Sequence, residues 1–423
     1  MSAPLIALDD FAGTGWGVAC QRLGIDERGV ELMPEARATR EANGMRTVGA
    51  DVWDHLAATA ETPLAYDLLI SSPPCQTFSM AGGGAGRRAL DEVVGLIDSK
   101  AYLDVEALHA FGREHDPRTA LVLTPLVRVS RDAPTYVVLE QVPPVLPVWE
   151  RIAVELRGWG YSVWVGVLNA EQYGVPQTRR RAVLIARADG VEAAPPVPTH
   201  SRYYSRDPKR LDPGVLPWVS MAEALGWGMT ARPPVTAGNA VGRAEGIGGS
   251  GGKAAVQREK DAGRWMSNNN TSTTGERYER DAEHPAPTVT SGSRSARIER
   301  ADGEGLRGPW GMTERPYPTV ASGGSVSGGF DPMVLGGSGA RETVKAERER
   351  GAWVDEPTTT GAQRVTIEEA AALQSYPPGF DWQTGPNGKP LTKTKAFLQI
   401  GNAVPPKLAE AILATLLTKD DNR

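Results

Sequence analysis

Short apolar runs alternate with mixed polar stretches of helical length through the first 190 residues. Candidate strands cover residues 5–8, 29–32, 68–70, 136–139, 162–168 and 182–185. Runs such as Leu68-Leu69-Ile70 and Val137-Val138-Leu139 are continuously apolar, the pattern of strands buried on both faces. Strands spaced by helical segments predict an α/β domain with a parallel sheet and crossover helices. From about residue 195 to 361 the pattern changes. Gly, Pro, Ser, Thr and Arg dominate, and Gly248-Gly249-Ser250-Gly251-Gly252 and Asn268-Asn269-Asn270 read as mobile loops.

That second region carries a degenerate repeat. Trp227-Gly228-Met229-Thr230-Ala231-Arg232-Pro233 recurs 83 residues later as Trp310-Gly311-Met312-Thr313-Glu314-Arg315-Pro316. Each copy runs into a Thr/Val-rich piece ending in glycine, as do partial copies at residues 284–292 and 355–361. Irregular spacing and missing helices argue against a solenoid, so short β-segments with glycine turns are expected. After residue 364 ordinary globular patterning returns. Thr366 is placed to cap a helix with Glu369 three residues on, the turn Tyr376-Pro377-Pro378-Gly379-Phe380 ends it, and residues 396–418 read as a second loop followed by a helix.

Composition narrows the class. The chain has 423 residues, enough for two or three domains, with 40% hydrophobic and 23% charged residues. It contains neither an apolar run of membrane-spanning length nor a signal peptide pattern, so a cytoplasmic protein with no membrane partner is expected. Two cysteines leave no disulfide framework and no cysteine zinc site, and no metal is expected. A net charge of −5 argues only weakly against nucleic acid, because the distribution of charge over one face matters more than its sum.

Four constellations carry chemistry. Cys75, in Ser71-Ser72-Pro73-Pro74-Cys75-Gln76-Thr77-Phe78-Ser79, sits at the carboxyl end of an apolar strand, where open α/β sheets place their ligands. Two prolines stiffen that turn and aim the thiol. Cys20, in the helix expected after the first glycine loop, reads as packing. Glu140 ends a second apolar strand, and a carboxyl in such a partly dehydrated place is expected to hold its proton more tightly than usual. Arg179 and Arg181, in Gln177-Thr178-Arg179-Arg180-Arg181, share one face of a strand while Arg180 points away. At the amino end, Phe11-Ala12-Gly13-Thr14-Gly15-Trp16-Gly17 follows the first strand and opens a helix, a place for a ligand to approach the backbone. Glu31 ends the second strand where a carboxylate can take a ribose, and Asp51 follows a third strand. A dinucleotide is the alternative ligand for this half, although a full Gly-x-Gly-x-x-Gly is lacking.

Taken in order, these motifs resemble those of the DNA cytosine-5 methyltransferases, over residues 5–190 and 361–418. The resemblance implies a Rossmann-like S-adenosylmethionine-dependent methyltransferase domain with a smaller, irregular β-rich target-recognition domain. Its boundaries would be 1–190 for the catalytic domain, 191–360 for target recognition, and 361–423 for C-terminal motifs whose last helix returns to the catalytic domain. It implies that Cys75 is the nucleophile, that Glu140 donates to the cytosine ring, that Arg181 reaches the cytosine carbonyl and that Arg179 orders the catalytic loop. S-adenosylmethionine would lie against Phe11, Gly13, Gly15, Glu31, Asp51, Val52, Pro73, Leu121, Asn402 and Val404. The loop Gly82-Gly83-Gly84-Ala85-Gly86-Arg87-Arg88 suits a segment that swings and meets phosphates.

Three positions depart from the family pattern: Asp10 stands for an apolar residue, Trp16 for the second glycine of a pair, and Gln141 for an asparagine. The implied partner is double-stranded DNA, bound by a monomer of bacterial or phage type, since no regulatory domain precedes the catalytic one, in a restriction-modification or related role. A tRNA methyltransferase of the same architecture and a catalytically silent DNA-binding relative remain the alternatives.

Overall fold

The computed structural model describes residues 3–74, 90–114, 120–204, 207, 209–225, 235–236, 297–298, 317–318 and 366–417. The Cys75 thiol, the glycine loop at 82–88, residues 116–119 and both copies of the tryptophan repeat lie outside the described residues. The chain divides into two units. One comprises residues 1–173, 179–199 and 376–423, and the other residues 174–178 and 200–375.

The first unit is built on a seven-stranded sheet. Its strands are β1 (Ile6–Asp10), β2 (Asp26–Val30), β3 (Arg46–Gly49), β4 (Leu68–Ser71), β5 (Tyr136–Gln141), β6 (Ser162–Asn169) and, after the two-residue β7 (Gln177–Thr178) of the other unit, β8 (Arg180–Arg187). They lie in the order β3-β2-β1-β4-β5-β8-β6. The expected parallel sheet is corrected in one place: β8 runs antiparallel between β5 and β6. β3 is the third strand expected before Asp51, but it has no range among the candidate strands, and its sequence Arg46-Thr47-Val48-Gly49 shows why. It is an edge strand with no fully buried residue, so it lacks the apolar run that marks the others.

Helices α1 (Gly15–Leu23), α2 (Pro34–Ala42), α3 (Val52–Ala58), α4 (Leu90–Asp98), α5 (Val105–Glu114), α6 (Thr124–Asp132) and α7 (Leu146–Gly158) fill the crossovers. The second unit contains the short α8 (Met221–Leu225) and α9 (Ile367–Leu373), and α10 (Lys393–Asn402) and α11 (Pro406–Leu417) return to the first. Val137, Val138 and Leu139 are wholly buried, as a central strand covered on both faces requires, and Leu69, Leu126, Trp149, Ile152 and Leu184 pack into the same core. Burying each such side chain stabilises the fold by about 1.5–3 kcal/mol.

Local signals match their elements. Thr366 Oγ1 accepts from the Glu369 amide and the Glu369 carboxylate accepts from the Thr366 amide, so α9 opens on the expected capping box. Residues 397–402, expected as loop, are instead helical. Thr392 caps α10 and its buried Ala396, Phe397 and Ile400 recur at helical spacing, with the break coming only at Ala403. In the second unit, Gln177 donates to the Gln374 side chain (2.6 Å), and β7 pairs in parallel with Tyr317–Pro318. Val235–Thr236, the start of one Thr/Val-rich piece, forms a short antiparallel pair with Arg297–Ile298.

Candidate active site

Because β1 to β5 are parallel, their carboxyl ends share one edge of the sheet. The register sets Asp10 beside both Val30 and Ser71, Val30 beside Gly49, and Ser71 beside Leu139. The residues just beyond these ends, Phe11, Glu31, Asp51, Pro73 and Glu140, therefore line one rim. β1 has neighbours on both sides whose connections leave in opposite directions, the switch point at which open sheets bind ligands.

The glycine turn is held from several directions. The Gly13 amide donates to Glu31 Oε2 (2.9 Å), and Glu31 Oε1 accepts from the Met33 amide (2.7 Å). The Gly13 carbonyl accepts from Arg40 Nη1 (2.9 Å). A Cβ on Gly15 would stand 2.1 Å from the Val404 carbonyl oxygen, so only glycine lets α1 open against the C-terminal motif. Thr14, at the N-cap, gives no side-chain cap to α1 and instead shares a hydrogen bond with the buried Tyr376 hydroxyl (2.6 Å). The first amides of α1 thus keep their capacity for an anionic group. Phe11 is half-buried with φ +65°, a left-handed conformation that a bulky residue adopts only when its surroundings enforce it.

Asp51 caps α3 by accepting from the Trp53 amide at Oδ1 (2.7 Å), while Val52 is buried and Leu121 half-buried. Val404 is buried and Asn402 exposed at the end of α10. These residues fit an adenosyl ligand: a carboxylate for a ribose, a second carboxylate with one oxygen uncommitted to its cap, an aromatic ring, and a turn at Gly13 where an added Cβ would meet open space among the described residues.

The three departures acquire structural reasons. Trp16 is buried and its indole N–H donates to Ser72 Oγ (2.9 Å), tying the start of α1 to the turn before Pro73. Gln141 donates through Nε2 to the Pro73 carbonyl and accepts the Val142 amide at Oε1, each at 2.5 Å, so it braces the prolyl turn from β5. Asp10 is wholly buried and its carboxylate pairs twice with Arg128, at 3.0 and 3.1 Å.

Antiparallel β8 delivers its amino end to the same rim. Glu140 lies opposite Val183, two residues from Arg181, so the two side chains share a face and Arg181 Nε meets Glu140 Oε1 at 2.6 Å. Arg179, between β7 and β8, is buried and donates to the Gly401 carbonyl (3.0 Å), while Arg180 is exposed. Cys20, by contrast, is buried in α1, where burial pushes its thiol pKa up, the inert role expected of it.

Sequence reasoning missed the buried polar groups behind this rim. Arg40, wholly buried, meets both oxygens of Glu27 (2.7 and 2.8 Å), Thr47 Oγ1 (3.1 Å) and the Arg46 carbonyl (2.9 Å). Gly29 is glycine because a Cβ there would lie 2.2 Å from Arg40 Nη2. Among the described residues neither Asp9 oxygen has an ordinary donor within reach, yet the carboxyl lies against Glu27. Burial, then the Glu27 charge, push the Asp9 pKa well above the carboxylate range, so a proton on Asp9 donated to Glu27 satisfies both acids. A single signal pointed to this network, the charged Asp9-Asp10 pair inside an apolar strand.

The chain is similar to known proteins over part of its length. Over 142 residues the chain is 33% identical to the type II methyltransferase M1.HphI of Haemophilus parahaemolyticus, covering 32% of each chain. Over 164 residues it is 32% identical to M.SacI of Streptomyces achromogenes, covering 37% of this chain and 36% of that one. Over 196 residues it is 30% identical to M.AquIA of Picosynechococcus, covering 42% of this chain and 67% of the relative. The chain thus spans about a third of the length of the first two. The model of the C-5 cytosine-specific DNA methylases matches residues 112–418, most of the chain. With the sheet order, the glycine turn and the Glu140–Arg181 pair in view, the chain belongs to the C-5 cytosine-specific DNA methylase family.

Proposed function

We propose that this protein transfers a methyl group from S-adenosylmethionine to carbon 5 of cytosine in double-stranded DNA. The observation that carries the reading is the shared rim. The Glu140–Arg181 pair, the Gln141-braced Pro73 turn that leads to Cys75, and the Gly13–Glu31–Asp51 side lie at the ends of adjacent strands. Carbon 5 of an aromatic pyrimidine is not nucleophilic. Addition of the Cys75 thiolate to carbon 6 breaks the aromaticity and turns carbon 5 into an enamine-like carbon. Glu140 hydrogen-bonds ring nitrogen 3 and Arg181 the carbonyl oxygen, which requires their mutual pair to open toward the entering base. S-adenosylmethionine, held by Phe11, Glu31 and Asp51, would supply the electrophilic methyl group and leave as S-adenosylhomocysteine. After transfer, water takes the carbon 5 proton, and the electron pair of that C–H bond expels the Cys75 thiolate and restores the ring.

The target base is paired in a duplex, so it is flipped into the site at a cost of roughly a few kcal/mol. Residues 191–360 serve as the target-recognition domain in this reading, and the protein acts as a cytoplasmic monomer. Among the described residues no helix is long and apolar enough to cross a membrane.

The test is transfer of labelled methyl groups to duplex DNA, with bisulfite conversion to locate 5-methylcytosine and trapping on 5-fluorocytosine DNA to detect the covalent adduct. Cys75→Ser should lose both transfer and trapping. Full activity of that variant refutes the nucleophile assignment, and methylation of tRNA with none of DNA refutes the substrate.

A further inference from the structure

Behind the rim runs a buried chain of charge that the reaction does not use. Asp10, at the end of β1, and Arg128, on α6, both have fully buried side chains and form two hydrogen bonds. Arg128 Nη2 continues to His55 Nδ1 on α3 at 2.8 Å. A guanidinium only donates, so Nδ1 accepts and the imidazole is neutral with its proton on Nε2. A Cβ on Gly49 would stand 2.8 Å from His55 Cδ2, so the ring also lies on the end of β3. Arg131, one turn along α6, adds bonds to the Leu56 carbonyl (3.0 Å) and Thr59 Oγ1 (2.9 Å), fastening α6 to α3 a second time.

Each member of this chain stands next to a candidate cofactor residue. Asp10 directly precedes Phe11 with its strained φ. His55 donates its amide to the Asp51 carbonyl (3.0 Å) in the first turn of α3. Arg128 lies on the helix whose first residue, Thr124, donates to the Leu121 carbonyl (2.9 Å). Three segments that meet nowhere in sequence are thereby locked to one guanidinium. We propose that Asp10, Arg128 and His55 form a positioning unit for the adenosine end of the cofactor pocket, holding Phe11, Asp51 and Leu121 in register. This rests on the S-adenosylmethionine reading above.

The charged groups acting on His55 are Arg128, Arg131 and Asp132 from α6 and Asp10 from β1. Burial first, then the Arg128 charge, hold its pKa below the ordinary histidine value, so acid places a second cation against Arg128.

Calorimetric titration with S-adenosylhomocysteine and with adenosine tests the unit. No binding of S-adenosylhomocysteine to the wild type would refute the cofactor reading itself, a separate outcome. Given wild-type binding, the double variant Asp10→Leu/Arg128→Met replaces a buried ion pair by apolar bulk, a change that commonly leaves stability intact. Nη1 of Arg128 has no hydrogen-bond partner among the described residues, which lowers the cost of removing the group. We expect a melting temperature near wild type with both ligands bound about tenfold more weakly. Wild-type affinity in the folded double variant overturns the proposal.

Should that variant not fold, His55→Leu and His55→Asn decide. Leucine gives the loss, while asparagine, whose side-chain oxygen still accepts from Arg128, restores affinity and removes the acid-side fall in binding expected of the wild type. Equal affinity and equal acid profiles in wild type and both variants overturn it.

Discussion

Asp9→Asn should stabilise the protein, and increasingly so as pH rises. Asp9 is fully buried in β1 with Glu27 as its neighbour, and one guanidinium, Arg40, serves the pair. Burial and the Glu27 charge raise its pKa, so the folded chain keeps a proton that the unfolded chain, with an aspartate pKa of about 3.9, has already released. A group of this kind contributes stability that is fully present below the unfolded pKa and is lost as pH rises through the folded one. Within that window each pH unit removes about 1.4 kcal/mol. Asparagine does not titrate and its amide N–H still reaches Glu27, so the share of the pH-dependent loss that belongs to Asp9 disappears, while that of Glu27, whose pKa burial also raises, stays.

Urea unfolding of wild type and variant at constant ionic strength, from about pH 5 to about pH 8, measures the difference. The variant's advantage should widen by up to about 1.4 kcal/mol per unit until the folded pKa is passed. Parallel curves, or a variant that loses ground as pH rises, would refute a protonated Asp9.

The other predictions concern the rim. Gly15→Ala puts a methyl group 2.1 Å from the Val404 carbonyl oxygen, a backbone atom with little room to yield, and should cost about 1–3 kcal/mol of stability and abolish calorimetric binding of S-adenosylhomocysteine. Arg40→Met strands Glu27 and frees the Gly13 carbonyl; we expect about 3–5 kcal/mol of destabilisation by urea unfolding, partly recovered on adding Glu27→Leu. Glu140→Gln and Arg181→Ala should each lower methyl transfer by at least about 100-fold while S-adenosylhomocysteine binding stays within about threefold. Transfer rates near wild type in either variant would remove that residue from the chemistry.

Much of this protein was readable from its sequence because the relevant signals are local. Apolar runs such as Val137-Val138-Leu139 mark central strands, Thr366 with Glu369 marks a helix start, and the glycine turn and strand-end Glu31 and Glu140 announce themselves by position. Where the local signal was weak, the reading was incomplete: the edge strand β3, expected before Asp51, has no apolar run to give it bounds, and the glycine within Ile400-Gly401-Asn402 looked like loop although packing holds it in α10. Other features depend on long-range closure and have no local signature. Nothing near residue 10 in sequence reveals that an arginine 118 residues away neutralises its carboxylate, or that Gly15 must yield to a carbonyl at residue 404. Nor does sequence show that β8 turns antiparallel, the reversal that brings Arg181 to Glu140. Burial makes an unpaired charge costly. Only the folded sheet, which decides which groups lose water together, could say how Asp9, Asp10 and Glu27 are each satisfied.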